Sequence, residues 1–154
     1  MGEIAVGEPK VSQATNADFR QIVTDIVDFW GSERTLGMHN AMYVNELVDS
    51  SFVVKEGDRV LAYLFGVIAE PRRVAYVALI GVRTSHRRHG FGQRLYRLFE
   101  DYARSRGCTR LTAVTDPSNA NSIAFHTGKI GMSCSIVKDY SGPGQDRALF
   151  EKTI

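Results

Sequence analysis

The stretch from Ser51 to Val82 constrains this chain more than any other, because three β-rich runs follow one another there with only short breaks. Ser51 to Lys55 is short and meets the turn signal Glu56-Gly57-Asp58. Val60 to Ala69 is long and apolar, Pro71-Arg72-Arg73 interrupts it, and Val74 to Val82 is apolar again. Runs joined by such short turns are predicted to pair as an antiparallel meander. The two longer runs are apolar at alternate and intervening positions alike, which predicts central strands covered on both faces. Val60 to Ala69 is the longest apolar run, about half of what a bilayer-spanning helix needs.

Helical patterns flank this block. Thr15-Asn16-Ala17-Asp18 reads as a helix start with an acid three residues after the cap, and Phe19, Ile22, Val23, Ile26 and Trp30 follow at helical spacing up to Gly31. A second helix is expected from Met38 to Val48, supported by Met38, Met42, Leu47 and Val48, with His39 exposed on it. After a polar loop from Arg83 to His89, Gly90-Phe91-Gly92 opens a helix. Phe91, Leu95, Leu98, Phe99 and Tyr102 form its buried stripe, and Gln93, Arg94, Arg97, Glu100, Asp101 and Arg104 face away. Arg110 to Thr115 reads as a strand, about Ala120 to Ile130 as a helix, and Ser133 to Val137 and Arg147 to Thr153 as closing strands. Glu8 to Ala14 is a weaker strand candidate.

The chain has 154 residues, a length that suits one domain over 1–154, and its 44% hydrophobic and 23% charged residues suit a packed core. The net charge of +2 is too small for a protein whose whole surface grips nucleic acid, so no nucleic-acid partner is expected. Two cysteines, Cys108 and Cys134, make no disulfide framework and fit a reducing compartment. No charged head precedes an apolar run, and Met1-Gly2 is followed by Val6 where myristoylation wants Ser or Thr. The expectation is a cytoplasmic protein without membrane attachment.

Chemistry concentrates between Val74 and Gly92: an apolar strand, a basic loop, two glycines and a helix. A helix N-terminus leaves backbone N–H groups unpaired and carries partial positive charge. Gly90 and Gly92 let an anion approach the backbone, and Arg87 and Arg88 add fixed charge, so a diphosphate is the natural ligand. Position 95 is Leu95, which excludes the dinucleotide fingerprint; the P-loop, H-E-x-x-H, paired C-x-x-C and G-x-S-x-G patterns are missing, and no metal is expected.

What remains is Arg87-Arg88-His89-Gly90-Phe91-Gly92, an R-x-x-G-x-G after a strand. Upstream stands Ala75 to Val82, and downstream Asn119-x-x-Ser122-x-x-Phe125-His126 followed by Gly131-Met132. In these segments the sequence resembles the GNAT superfamily of acyl-CoA-dependent N-acetyltransferases. The resemblance covers about residues 50 to 154, with the first 50 matching only in element order, and Asp139 to Arg147 is similar to the tail of some bacterial branches. It implies an α/β (α+β) fold: a mixed, mainly antiparallel central sheet of about six or seven strands, with helices on both faces and a V-shaped split between the fourth and fifth strands.

The same resemblance implies a ligand and a chemistry. Acetyl-CoA would enter the split, its pantetheine arm bonding the backbone of Ile80 and Val82, with the Val82 N–H at the thioester carbonyl. The diphosphate would lie on the amides of Arg88, His89, Gly90, Phe91 and Gly92 with Arg87 adding charge, and Asn119, Ser122 and Phe125 would line the arm. A primary amine, small molecule or peptide, would attack the thioester directly, and a homodimer is plausible for the fold. Where many members place a proton-donating tyrosine this chain has His126, and Gly131 follows it at the fifth position rather than the usual fourth. His126 is a candidate general acid, since imidazole titrates near about 6.5, or else a packing residue; Tyr140 is the alternative acid. The strands Val74–Val82 and Arg110–Thr115 hold no acid, which leaves Glu46, Glu70 or water as proton acceptor. The competing reading is a CoA-binding sensor or interaction module that has lost catalysis.

Overall fold

The computed structural model describes residues 8–154; the expectation about Met1-Gly2 and Val6 lies outside them. Seven strands form one mixed sheet in the order β1-β2-β3-β4-β5-β7-β6. They are β1 Lys10–Gln13, β2 Ser51–Glu56, β3 Arg59–Ala69, β4 Val74–Val82, β5 Arg110–Thr115, β6 Ser133–Val137 and β7 Arg147–Thr153. The pairs β1–β2, β2–β3, β5–β7 and β6–β7 are antiparallel, and β4–β5 is parallel. The helices are α1 Asn16–Thr24, α2 Ile26–Trp30, α3 Phe91–Ser105 and α4 Ala120–Ala124. None is long and apolar enough to cross a membrane.

The chain divides into two compact units. The first takes in the residues up to Gly66 together with Leu79–Leu95. Its core gathers Ala14, Ile22, Phe29, Val44, Val53, Val60, Tyr63, Phe65 and Leu79, with Phe19, Trp30 and Tyr43 against it. Helix α1 starts where the sequence predicts. The Thr15 hydroxyl accepts from the Asp18 N–H, and the Asp18 carboxylate accepts from the Thr15 N–H, a capping box. The expected helix over Met38 to Val48 is not there. That segment makes three separate 3-10 turns, Leu36–Met38, Ala41–Tyr43 and Val48–Ser50. The Asn40 side chain accepts from the Met42 N–H and restarts the chain, while Met38 and Met42 point to solvent and so give no apolar face on which a helix could pack.

The second unit takes in Val67–Ala78 and Tyr96–Ile154. In its part of the ladder β4 aligns Val74–Val77 with Arg110–Ala113 of β5; among the described residues these are the β4–β5 pairs, and β4 continues to Val82 and β5 to Thr115. Strand β4 is sealed on one face and partly covered on the other: Ala75, Val77, Leu79 and Gly81 are buried, whereas Tyr76, Ala78, Ile80 and Val82 are half-buried. The prediction of two covered faces therefore holds in part for β4, a central strand with one face sealed and the other half-covered. The buried stripe of α3 also differs from the expected one. It includes Tyr96, and Glu100 is buried rather than facing away, held by Lys152 at 2.7 Å. The final helical segment begins as α4 and continues as a π-helix over Phe125–Ile130. The Gly131 N–H closes it on the His126 carbonyl, five residues back, so the residue that spaces His126 one place further from Gly131 is taken up as a widened turn.

Candidate active site

The loop after β4 begins with a buried cation. Arg83 was expected in a polar loop, yet it is 4% exposed. Its guanidinium pairs with Asp28 at 3.0 Å and Asp25 at 2.8 Å, donates to the Gln21 side chain and the Val60 carbonyl, and lies over the Phe29 ring at 4.7 Å. A buried charge is tolerated when its donors are matched in this way. Two further bonds lace the loop to α2: the Thr84 hydroxyl donates to the Asp28 carbonyl and Arg87 to the Phe29 carbonyl. Nothing in the sequence marks Asp25 and Asp28, more than fifty residues away, as partners of Arg83.

Past Arg87 the backbone turns sharply. Arg88 has φ +66° and Gly90 φ +79°, on either side of His89, and the Gly90 carbonyl accepts from the Arg94 N–H to start α3. Alternating backbone hand turns successive N–H groups toward one side, the arrangement of an anion nest. Left-handed backbone at a non-glycine residue costs about 1 kcal/mol, and such strain concentrates at ligand sites. Arg87, Arg88, His89 and Gly90 are all exposed. The rings of His86, His89 and Phe91 gather beside them, 5.7 to 6.4 Å apart between centroids.

Behind β4 in the same unit lies an aromatic cluster that sequence reasoning missed. Tyr63 of β3 is fully buried. A Cβ on Gly81 would stand 2.7 Å from a Tyr63 ring carbon and 3.0 Å from its oxygen, so only glycine lets the phenol lie this close to β4. Trp30 Nε1–H donates to Tyr63 Oη at 2.6 Å. His39, expected to be exposed, is half-buried instead, its Nδ1 2.8 Å from the Thr35 carbonyl and its Nε2 2.7 Å from Tyr63 Oη. A carbonyl only accepts, so Nδ1 carries the proton, and Nε2 accepts from Tyr63 Oη–H. Burial lowers the His39 pKa, against a smaller opposing effect of the Thr35 bond, and raises that of the Tyr63 phenol.

In the second unit Asn119 caps α4. Its Oδ1 accepts from the Ser122 N–H at 3.1 Å, and its Nδ2 donates to Thr115 Oγ1 at 3.3 Å. His126 is 5% exposed, stacked on Phe150 with centroids 4.3 Å apart and set edge-on to Phe125 and Tyr96. Its Nδ1 lies 2.8 Å from the Ser122 carbonyl and its Nε2 2.7 Å from Tyr96 Oη. The same reasoning fixes Nδ1–H and leaves Nε2 as acceptor, and burial lowers its pKa. Ser122 and Phe125 are half-buried, and Tyr140 is 47% exposed. Glu70 is held by Arg106 at the surface, and Glu46 is exposed. Among the described residues no three His, Cys, Asp or Glu side chains gather where they could hold a metal ion.

A sequence profile of the acetyltransferase (GNAT) family matches residues 19–132, across the helices, the strand, the nest and the π-turn just described. The chain belongs to that family. A curated relative, the acetyl transferase GW6a of Oryza sativa subsp. japonica, is 41% identical over 59 residues; these make up 38% of this chain and 14% of the rice protein, so the chain spans only a small part of that relative. Solved structures share the GNAT fold at low identity. The ribosomal-protein-S18-alanine N-acetyltransferase of Escherichia coli matches with a TM-score of 0.70 at 20% identity, covering 96% of this chain and 94% of its own. Ard1 of Thermoplasma volcanium matches at 0.72 and 17%, over 95% and 97%. YncA of Salmonella typhimurium, solved with its cofactor acetyl-CoA, matches at 0.68 and 19%, over 96% and 94%.

Proposed function

We propose that this GNAT acetyltransferase moves an acetyl group from acetyl-CoA to a primary amine by direct attack within a ternary complex. The observation that carries the reading is the left-handed turn at Arg88 and Gly90, opening α3 at the end of the loop that follows β4. Its amides suit a diphosphate, and the exposed Arg87 and Arg88 supply matching charge. Ile80 and Val82 stand on β4 beyond its last pair with β5, a stretch that suits an extended pantetheine arm as an added strand. The Val82 N–H is assigned to the oxyanion, the kind of help that contributes most to acyl transfer. Bound acetyl-CoA supplies the activated acyl carbon; the protein holds and orients it.

Of the two acid candidates, His126 fits the role poorly. Its only N–H is given to the Ser122 carbonyl, its other nitrogen accepts from Tyr96, and burial keeps the ring neutral. We assign it to packing. Tyr140 is exposed and free to donate, and a thiolate can also leave without an acid. Asn119, both ends of whose amide are bonded within its own loop, is assigned first to shaping the start of α4.

Titration calorimetry with acetyl-CoA, CoA and 3′,5′-ADP tests the reading, on the protein and on Gly90→Glu, which puts a negative charge on the nest. Submillimolar binding of the first two, lost in the variant, is expected. Thiol release is then followed with 2-phenylethylamine, spermidine, kanamycin and an alanyl peptide. Tight binding without any thiol release would favour a sensor in place of an enzyme, and no binding by folded protein would overturn both.

A further inference from the structure

Transfer to an amine sheds a proton, and β3, β4 and β5 carry no acid to take it. Glu70 is engaged by Arg106. The aromatic cluster of the first unit provides another route. Tyr63 Oη lies against the backbone of β4 at Gly81, one residue before Val82, and its own proton points at an unprotonated imidazole nitrogen.

We propose that Tyr63 is a catalytic residue, receiving the amine proton as it hands its own to His39, which acts through it as the positioning residue. This rests on the transferase reading above. The amine nitrogen forms the C–N bond to the thioester carbon. Its N–H proton moves to Tyr63 Oη while the Tyr63 proton moves to His39 Nε2. The C–S bond breaks with its electron pair leaving on sulfur as thiolate, and the imidazolium returns its proton to water from its half-exposed ring.

Four observations carry the assignment. The Nδ1–H bond to the Thr35 carbonyl holds the ring with Nε2 toward Tyr63 and stabilises the imidazolium that forms. Burial lowers the His39 pKa, so Nε2 is free of a proton near neutrality. Its surroundings are Trp30 from α2, Tyr63 and Phe65 from β3, and the Thr35 carbonyl; the Arg34 guanidinium lies beyond the indole, 5.9 Å from the Trp30 ring centroid. In the resting structure the indole N–H fills the donor position on Tyr63 Oη. An amine N–H is a donor of the same kind, and the acceptor takes that place by turning aside Trp30, which ends the five-residue α2. Finally, Thr35 Oγ1 is one of two buried side-chain hydroxyls among the described residues with no hydrogen-bond partner, the other being Ser51 Oγ. It sits on the residue that anchors His39, an unmet polar group beside the relay.

The test has one arm that needs no turnover. Long-range ¹H–¹⁵N spectra of the full chain should find His39 as the Nδ1–H tautomer, with a titration that moves in Tyr63→Phe; an Nε2–H tautomer, or an unmoved titration, overturns the relay. The second arm follows thiol release from acetyl-CoA with 2-phenylethylamine, whose ring suits the exposed Leu36, Met38 and Met42 around His39. Tyr63→Phe and His39→Gln should lower kcat by ~100-fold, the usual scale for losing a general base. KM for acetyl-CoA should stay unchanged, His39→Gln should lose the acid limb of the pH profile, and imidazole should restore part of the rate of His39→Ala. Wild-type turnover that His39→Gln leaves intact, limb included, overturns the relay and spares the transferase reading. A wild type that binds acetyl-CoA and releases no thiol overturns both.

Discussion

The molecule builds the same device twice. In the first unit Tyr63 donates to His39, whose other nitrogen donates to the carbonyl four residues back. In the second unit Tyr96 donates to His126, whose other nitrogen does the same. Tautomer, partners and geometry agree to within a tenth of an ångström. Access to water and to a further donor differs. His126 is 5% exposed and stacked flat on Phe150, with the Ser122 hydroxyl 3.2 Å from its Nδ1 as a further polar neighbour. His39 is half-buried, and its tyrosine also receives the Trp30 indole, a donor that can be replaced. A histidine–tyrosine pair is therefore a cross-brace or a proton path according to what else can reach it.

Substitutions can break this comparison, and the largest effect belongs to the sealed copy. His126→Ala leaves a cavity and an unpartnered Tyr96 hydroxyl, and should cost about 3 kcal/mol in urea unfolding. Gly81→Ala forces a methyl group into the Tyr63 ring and should cost about 1–3 kcal/mol, with loss of the Trp30–Tyr63–His39 chain visible as a shift of the indole N–H resonance. Removing the hydroxyls sharpens the contrast: Tyr96→Phe strands a buried nitrogen and should cost about 1–2 kcal/mol. Tyr63→Phe should cost less than about 1 kcal/mol, because water can reach both groups it would strand, the half-buried His39 and Trp30.

The smallest effect is on the pH dependence of stability. Burial is the leading cause that lowers both histidine pKa values in the folded chain. The unfolded chain then binds protons that the folded one refuses, so stability is complete above the ordinary value of about 6.5 and declines as pH falls through the lowered values. Urea midpoints measured between about pH 5 and 8 should show this slope, and His126→Gln should flatten it more than His39→Gln.

Strands β4, β5, β6 and β7 were legible to the residue: β4 is an apolar run, and breaks at Gly107, Asp116-Pro117, Gly131 and Ser141-Gly142-Pro143-Gly144 bound the more polar β5, β6 and β7. The glycines and arginines of the loop before α3 stand close together in the sequence, but the left-handed backbone at Arg88 has no local signal. The segment from Met38 to Val48 was not legible: its methionines imitate a helical stripe yet face solvent, and Asn40 restarts the chain. Arg83 and His39 take their surroundings from partners distant in sequence, which no local pattern encodes. Tyr96 could have been found, since Gly92, Leu95, Tyr96, Phe99 and Ala103 repeat at intervals of three and four.

The π-turn over Phe125–Ile130 has a consequence for how such a chain changes length. One residue inserted into an α-helix would rotate everything beyond it by about 100°. Swelling a single turn stores that residue locally, so His126 keeps its heading toward Tyr96 while Gly131 still delivers the chain into β6. Deleting one of the exposed residues Thr127, Gly128 or Lys129 should tighten the bulge into plain α-helix without disturbing either end. For this helix, a change of length by one residue is expected to stay within a single turn and leave the contacts on both sides in place.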